Sequence, residues 1–281
     1  MSNIYMRYPG GLSKALTLSY DDGVDTDIRL MDILDKKGIR CTFNINSGLF
    51  SPEGTIFPPE KYHRRMTERQ ALEAYSGRPH EVAVHALTHA YLDKIPQPMA
   101  TWEVAADRKN LEAIFGGTIR GMAYPYGGFS DEVVEALKCC GIAYSRTTKA
   151  SYSFVLPTDW LRLHPLCHHN DARLNELCDA FLAKNVQFAP IIFYLWGHSY
   201  EFEKDNNWER IEAFAEKMGG IEDIWYATNI EIYDYIQDYN RLQFSIDGTY
   251  VYNPTARELF FTAGKPQEIY SVKPGEGIEI K

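Results

Sequence analysis

"KALTLSYDDGVDTDIRLMDILDKKGIRCTFNIN", residues 14–46, is the stretch on which the fold turns. Lys14–Tyr20 is an apolar-rich run of strand length. Asp25–Gly38 carries its apolar residues at helical spacing and stops at a glycine, and Ile39–Asn46 is strand-like again. Strand, helix and strand in immediate succession predict the unit from which parallel sheets are built. Between the first strand and the helix stand two adjacent carboxylates, Asp21 and Asp22, followed by Gly23. Like charges side by side at the mouth of a buried strand are costly unless a cation or a proton neutralises them.

The alternation continues outward from this unit. "TERQALEAY" predicts a helix capped by Thr67, "HEVAVHA" a third strand, and "MATWEVAADRKNLEAIFGG" a helix stopped at Gly116-Gly117. "IRGMAYPYGG" is a strand running into a Pro/Gly turn, and "SDEVVEALKCCG" is a helix with Ser130 as its cap. A short strand, "IAYSRT", follows, then the helix "ARLNELCDAFLAKN" and the strand "APIIFYLWGH". Two more helices, "NWERIEAFAEKMGG" and "NIEIYDYIQDYNRL", complete the series. The expectation is an α/β fold, a parallel sheet or barrel wrapped in helices, over residues 1–241. From Leu242 onward "LQFSIDGTYVYNP", "RELFFTAG" and "QEIYSVKPGEGIEI" alternate at period two, which predicts a small antiparallel β appendage over residues 242–281.

Bulk properties narrow the function. Apolar residues make up 45% and charged residues 24% of the 281-residue chain, as in ordinary globular proteins. A net charge of −9 argues against nucleic-acid or anionic-membrane partners. Aromatic residues reach 14%, enough to fill a core and also to face a flat ligand such as a sugar ring. No leader and no membrane span is legible, and Cys41, Cys139, Cys140, Cys167 and Cys178 fit no disulfide or CxxC pattern. The expected setting is the cytoplasm, with homo-oligomerisation through the aromatic-rich tail as the expected assembly.

In parallel α/β folds the loops at the strand ends converge on one mouth, and chemistry collects there. "VAVHALTHAYL" ends its strand in His85, with His89 four residues on, a spacing that puts two imidazoles on one face. Two histidines joined by a strand-end carboxylate make the partial ligand set of a catalytic divalent metal. "IIFYLWGHSYEFE" ends a late strand in His198, flanked by Trp196 and Tyr200, where an acid is useful. "MAYPYGG" supplies a rigid turn. "WLRLHPLCHHND" clusters His164, His168 and His169 with Cys167 at no standard metal spacing; cleft lining by Trp160 or His168 is its expected use. His63 and His80 read as surface histidines.

"SYDDG", "HALTH", "AYPYG" and "LWGH", in this order, resemble the motifs of the polysaccharide deacetylase (NodB-homology) family, carbohydrate esterase family four. The resemblance runs from about Ala15 to Tyr235 and omits the β tail. It implies a distorted, partly open (β/α) barrel and the hydrolysis of N- or O-acetyl groups on sugars. It also implies one divalent metal, zinc first, with cobalt, manganese or nickel as alternatives. Carried over by position, Asp21 resembles the general base, and Asp22, His85 and His89 the metal ligands. His198 resembles the general acid, and the amide of Tyr126 the oxyanion donor. Tyr124, Pro125 and Trp196 are the expected substrate-binding residues.

This sequence departs from the family pattern at Ala123, where many members carry an arginine that orients the base; Arg120, Arg146 and Arg162 are the available substitutes. With no leader legible, a soluble acetylated oligosaccharide is the expected substrate rather than a cell-wall polymer. Two other functions compete. One is a C–N hydrolase acting on a non-sugar amide; the other is a carbohydrate-binding module without activity, against which the intact set Asp21, Asp22, His85, His89 and His198 argues.

Overall fold

The computed structural model describes residues 4–264 and 268–280, so Gln267 of the predicted tail strand lies outside the described residues. A short strand, β1 (Tyr5–Arg7), precedes the sheet-forming strands β2 (Lys14–Asp21), β3 (Cys41–Ile45), β4 (Glu81–Val84) and β5 (Gly121–Ala123). These are followed by β6 (Tyr144–Arg146), β7 (Cys167–His168), β8 (Ile191–Gly197) and β9 (Ile224–Tyr226). The helices are α1 (Asp27–Asp35), α2 (Glu68–Tyr75), α3 (Gln97–Phe115), α4 (Asp131–Cys139), α5 (Leu174–Ala183), α6 (Ser199–Lys204), α7 (Glu209–Met218) and α8 (Asn229–Tyr239).

The main sheet runs β6-β5-β4-β3-β2-β8-β7, every pairing parallel, and β9 joins β2 beside Lys14–Leu16. A single parallel bridge from Arg146 to Leu163 spans the gap between β6 and the run leading into β7. The sheet therefore curls into a barrel that is nearly, but not continuously, closed. All eight residues of β2 are buried, polar ones included, because helices cover one face and barrel contents the other. The caps expected from sequence form: Thr67 and Gln70 make a capping box, and Ser130 Oγ accepts from the Val133 N–H.

The tail adds β10 (Gln243–Phe244), β11 (Tyr250–Tyr252), β12 (Leu259–Ala263), β13 (Glu268–Val272) and β14 (Gly277–Glu279). They form two antiparallel sheets, β10-β11-β14 and β1-β12-β13. Strand β1, unforeseen from sequence, thus completes a tail sheet from the opposite side of the chain. Met6, Tyr8, Tyr235, Val251, Leu259 and Phe261 share one core there, separate from the main core under the barrel helices.

Candidate active site

Because the strands are parallel, their C-terminal ends share one mouth. Asp21 closes β2 with Asp22 directly after it; His85 follows β4; Arg146 closes β6; His198 follows β8. Four non-glycine residues around the mouth, Asp22, Ala86, His89 and Tyr126, have positive φ. Such backbone persists only where surrounding contacts hold it, and it gathers at functional sites.

The contacts divide the two carboxylates cleanly. Asp21 Oδ2 receives the Nη2–H of Arg146, lies 3.9 Å from His85 Nε2 and 3.8 Å from His198 Nε2, while Oδ1 accepts from Asn44 Nδ2 at 2.9 Å. Asp22 Oδ1 faces His89 Nε2 at 3.7 Å and His85 Nε2 at 3.9 Å and accepts from Arg65 Nη2 at 3.1 Å. Asp22 Oδ2 lies 3.0 Å from His63 Nε2. Each carboxylate of the pair thus has its own arginine. Burial pushes both carboxyls up, but Arg146, His85 and His198 outweigh it at Asp21, and His63, His85 and Arg65 outweigh it at Asp22; both end below the ordinary carboxylate value.

The histidines differ in the same legible way. Burial pushes the His85 imidazole down, and burial with His85 alongside pushes His89 down to about 4, so both are neutral at pH 7. His85 Nδ1 donates to the Ala123 carbonyl at 2.8 Å, which leaves the Nε2 lone pair free, 3.9 Å from both Asp21 Oδ2 and Asp22 Oδ1. Donor atoms of Asp22, His85 and His89 lie within 4.8 Å of one another. Neutral imidazoles and an ionised carboxylate in that spacing fit a divalent metal ion. At His198, burial pulls down, but Glu201, Asp21 and Asp22 outweigh it and raise the imidazole above its ordinary value, which favours the protonated form.

A second group, His168, His198 and Glu201, has comparable spacing. The Glu201 carboxylate lies 3.2 Å from His168 Nε2, 3.0 Å from His169 Nε2 and 3.3 Å from His198 Nδ1. Here the tautomer points the other way. His168 Nδ1 accepts the Asn170 N–H at 3.2 Å, so neutral His168 carries its proton on Nε2, facing the carboxylate. This group is built to hold an anionic glutamate beside His198, whereas the first is built to offer lone pairs.

Several expectations need correction. His63 is at the mouth on Asp22, and His80 is buried, its Nδ1 accepting the Cys41 N–H at 3.2 Å; neither is a surface histidine. Tyr124 is buried with its hydroxyl donated to the Leu161 carbonyl at 2.7 Å, and Pro125 is buried beside it, so their side chains back the wall rather than face the cleft. Trp196 is also buried, its ring covering the Arg146 guanidinium at 4.4 Å. Tyr126, in contrast, is exposed and stacks on Tyr91 with ring centroids 3.6 Å apart.

Sequence reasoning missed Asn46, Arg65, Asp107 and Glu201. Asn46 Nδ2 donates to the carbonyls of His85 and Ala86 while its Oδ1 accepts from Arg65 at 2.7 Å. Asp107, buried on α3, accepts the backbone N–H of His85 at 3.0 Å and of Ser47 at 2.7 Å. A polar residue at a core position of a helical pattern was the available signal for Asp107; Asn46 and Arg65 on their loop and Glu201 on α6 gave none.

Residues 8–145 match the sequence profile described as polysaccharide deacetylase. The resemblance to this family is borne out over that stretch, which contains SYDDG, HALTH and AYPYG; LWGH lies beyond it. A polysaccharide deacetylase candidate from Mycobacterium smegmatis aligns over 84% of this chain and 94% of its own, at 14% identity and TM-score 0.58. A family 4 carbohydrate esterase from Streptomyces lividans, solved with acetate, aligns over 76% and 92%, at 15% identity and TM-score 0.50. These likenesses establish the barrel fold. A Streptococcus pyogenes deacetylase in complex with acetate aligns over 52% of this chain and 62% of its own, at 18% identity and TM-score 0.45. Comparison with curated proteins finds no match. No helix among the described residues is long and apolar enough to cross a membrane.

Proposed function

We propose that the chain is a divalent-metal-dependent hydrolase that removes acetyl groups, N- or O-linked, from a soluble acetylated oligosaccharide. The observation that carries this reading is the division of labour in the aspartate pair. Asp22 Oδ1 faces the Nε2 atoms of His85 and His89 at 3.9 and 3.7 Å, and Asp21 Oδ2 faces His198 Nε2 at 3.8 Å across the mouth.

Asp22, His85 and His89 would hold the ion, zinc being the first choice, and when bound it supplies Lewis-acid polarisation of the acetyl carbonyl and a more acidic water. The chain's own groups then move protons. Asp21, kept ionised by Arg146, takes the proton from the attacking water. The Tyr126 amide, on a turn of positive φ, donates to the oxygen that becomes negative. His198, protonated beside Glu201, gives its Nε2 proton to the departing amine or alkoxide. That turn depends on Gly127, where a Cβ would stand 2.1 Å from Thr148 Oγ1 and φ is +76°.

A cavity of about 450 Å³ lined by Asp22, His63, Arg65, His89, Tyr126 and Tyr200 opens onto these groups. The exposed Tyr91–Tyr126 stack at its edge offers the flat apolar face on which sugar rings rest. Five cysteines free of disulfides suit the cytoplasmic setting included in the proposal. The test is an acetate-release screen over acetylated oligosaccharides and amides with added zinc, cobalt or manganese. Acetate from short acetylated sugars supports the reading. Cleavage of cyclic ureides or formamides alone would replace it with an amide hydrolase, and a chain with neither turnover nor a bound metal would be a binding module.

A further inference from the structure

We infer that His63 is a positioning residue for the proposed metal centre: by donating its Nε2–H to Asp22 Oδ2, it keeps Oδ1 facing His85 and His89. The inference rests on the metal-site reading above and goes beyond it, since His63 lies outside the group of donor atoms within 4.8 Å of one another.

The need for such a residue follows from Arg65. Its Nη1 donates to the Asp22 carbonyl at 2.6 Å and to Asn46 Oδ1 at 2.7 Å, which grips the backbone of a residue held at φ +86°. Its Nη2 reaches only one carboxylate oxygen, Oδ1, at 3.1 Å. A guanidinium beside a carboxylate favours two parallel bonds, one to each oxygen. With Nη1 committed to those two acceptors, Arg65 holds the carboxylate through Oδ1 alone; if Oδ2 were free, the carboxylate could turn about that one bond and take the Oδ1 lone pair away from the two imidazoles. His63 occupies Oδ2 and blocks that turn. Opposite an ionised carboxylate, the His63 nitrogen can act only as donor.

His63 is itself presented rigidly. The next residues pair with the segment after Asp22: Asp25 N–H donates to the Arg64 carbonyl at 2.9 Å and Met66 N–H to the Gly23 carbonyl at 3.1 Å. Arg64 is forked onto Glu203, Nη1 donating to Oε1 and Nη2 to both carboxylate oxygens, each at 3.0 Å, and its Nε donates to Asp25 at 2.6 Å. On its outer side the His63 ring meets Tyr200 edge-on, with centroids 4.9 Å apart. The ring is about one-third exposed at the cavity rim (32%), so replacing it empties no core.

The experiment measures zinc affinity by competition with a chromophoric chelator, at one pH, for wild type and for His63→Ala, His63→Phe and His63→Gln. Melting of each metal-free protein is followed as a folding control. His63→Ala and His63→Phe should bind zinc roughly 10–100-fold more weakly, the loss typical of an outer-sphere partner. His63→Gln, whose amide can donate to Oδ2, should recover affinity to within about threefold of wild type. Wild-type affinity in His63→Ala and His63→Phe would overturn the inference while leaving the metal site standing. So would equal losses in all three variants, since the donated hydrogen would then be irrelevant. A wild type that binds no stoichiometric zinc, or a His89→Ala protein that binds it as tightly, would instead remove the metal-site reading and this inference with it.

Discussion

The guanidinium of Arg146 lies on Asp21 Oδ2 across 125 residues of sequence. Arg146 closes β6 in register with Ala123 of β5, so it reaches the aspartate from one strand beyond the position where the family arginine is expected. Its Nε donates to Ser19 Oγ at 3.2 Å, its Nη1 to the Thr147 carbonyl at 3.3 Å, and its face lies on Trp196. The other two substitutes are engaged elsewhere, Arg120 on Asp234 and Arg162 on Asp131 and Asp159. The vacancy at Ala123 is thus filled by Arg146.

Removing this arginine strands a buried carboxylate. Arg146→Met should cost about 3–5 kcal/mol of stability at pH 7 in the metal-free protein, the usual loss when one partner of a buried pair is deleted. The folded pKa of Asp21 is depressed, so the pair's contribution is present above the unfolded carboxylate value and fades as pH falls through the folded one. Urea unfolding at pH 7 and in acid should therefore show a deficit that shrinks in acid; a deficit of equal size at both would contradict this electrostatic account.

The proposed metal ligands are tested by deletion. His85→Ala and His89→Ala should each abolish stoichiometric metal binding and turnover, measured by elemental analysis and acetate release. Full metal content with full activity in His89→Ala would refute the assignment.

The pair proposed to move protons, Asp21 and His198, should separate by leaving group. Asp21→Asn should keep the metal yet lose roughly 10²–10⁴-fold in rate, the range of a general base. His198→Ala should damage amide cleavage far more than cleavage of activated aryl esters, which leave without a proton. Equal damage to both would mean that His198 positions substrate.

A fourth expectation lies below the site. Glu81 is part-buried at the start of β4, and the desolvation of its carboxyl, only partly offset by donors from Tyr144, Ile230 and Thr42, raises it to about 7. A raised carboxyl makes the folded state bind the extra proton, so stability falls as pH rises from about 4.5 to 7, by roughly 3 kcal/mol from this group. Glu81→Gln, whose amide can donate to the Tyr144 hydroxyl, should flatten that slope and be the more stable protein above pH 7. Parallel stability–pH curves for the two would exclude it.

What was legible in the sequence follows from periodicity. Asp21, Asp22, His85 and His198 stand at or just beyond the ends of apolar runs, and a parallel sheet brings such ends together whatever the register. Choosing Arg146 over Arg120 and Arg162 required the register of β5 against β6, which no local pattern encodes. His63, Arg65 and Asn46 lie on an irregular loop whose path is set by pairing with residues 23–25, a tertiary fact. Tyr124 was misplaced because a Tyr-Pro-Tyr turn does not reveal which ring faces inward.

The pairing of β1 with β12 also has a consequence for biosynthesis. Tyr5–Arg7 leaves the ribosome some 250 residues ahead of its hydrogen-bonding partners, Phe260–Thr262. Until those emerge, Met6 and Tyr8 have no complete core to enter, and the Arg7 carbonyl awaits the hydroxyl of Tyr235, 228 residues away. Contacts of such sequence separation form late, at a high loop-closure cost. The barrel strands can pair on a nascent chain, but the clasp between β1 and β12 closes only after residues 260–262 have emerged.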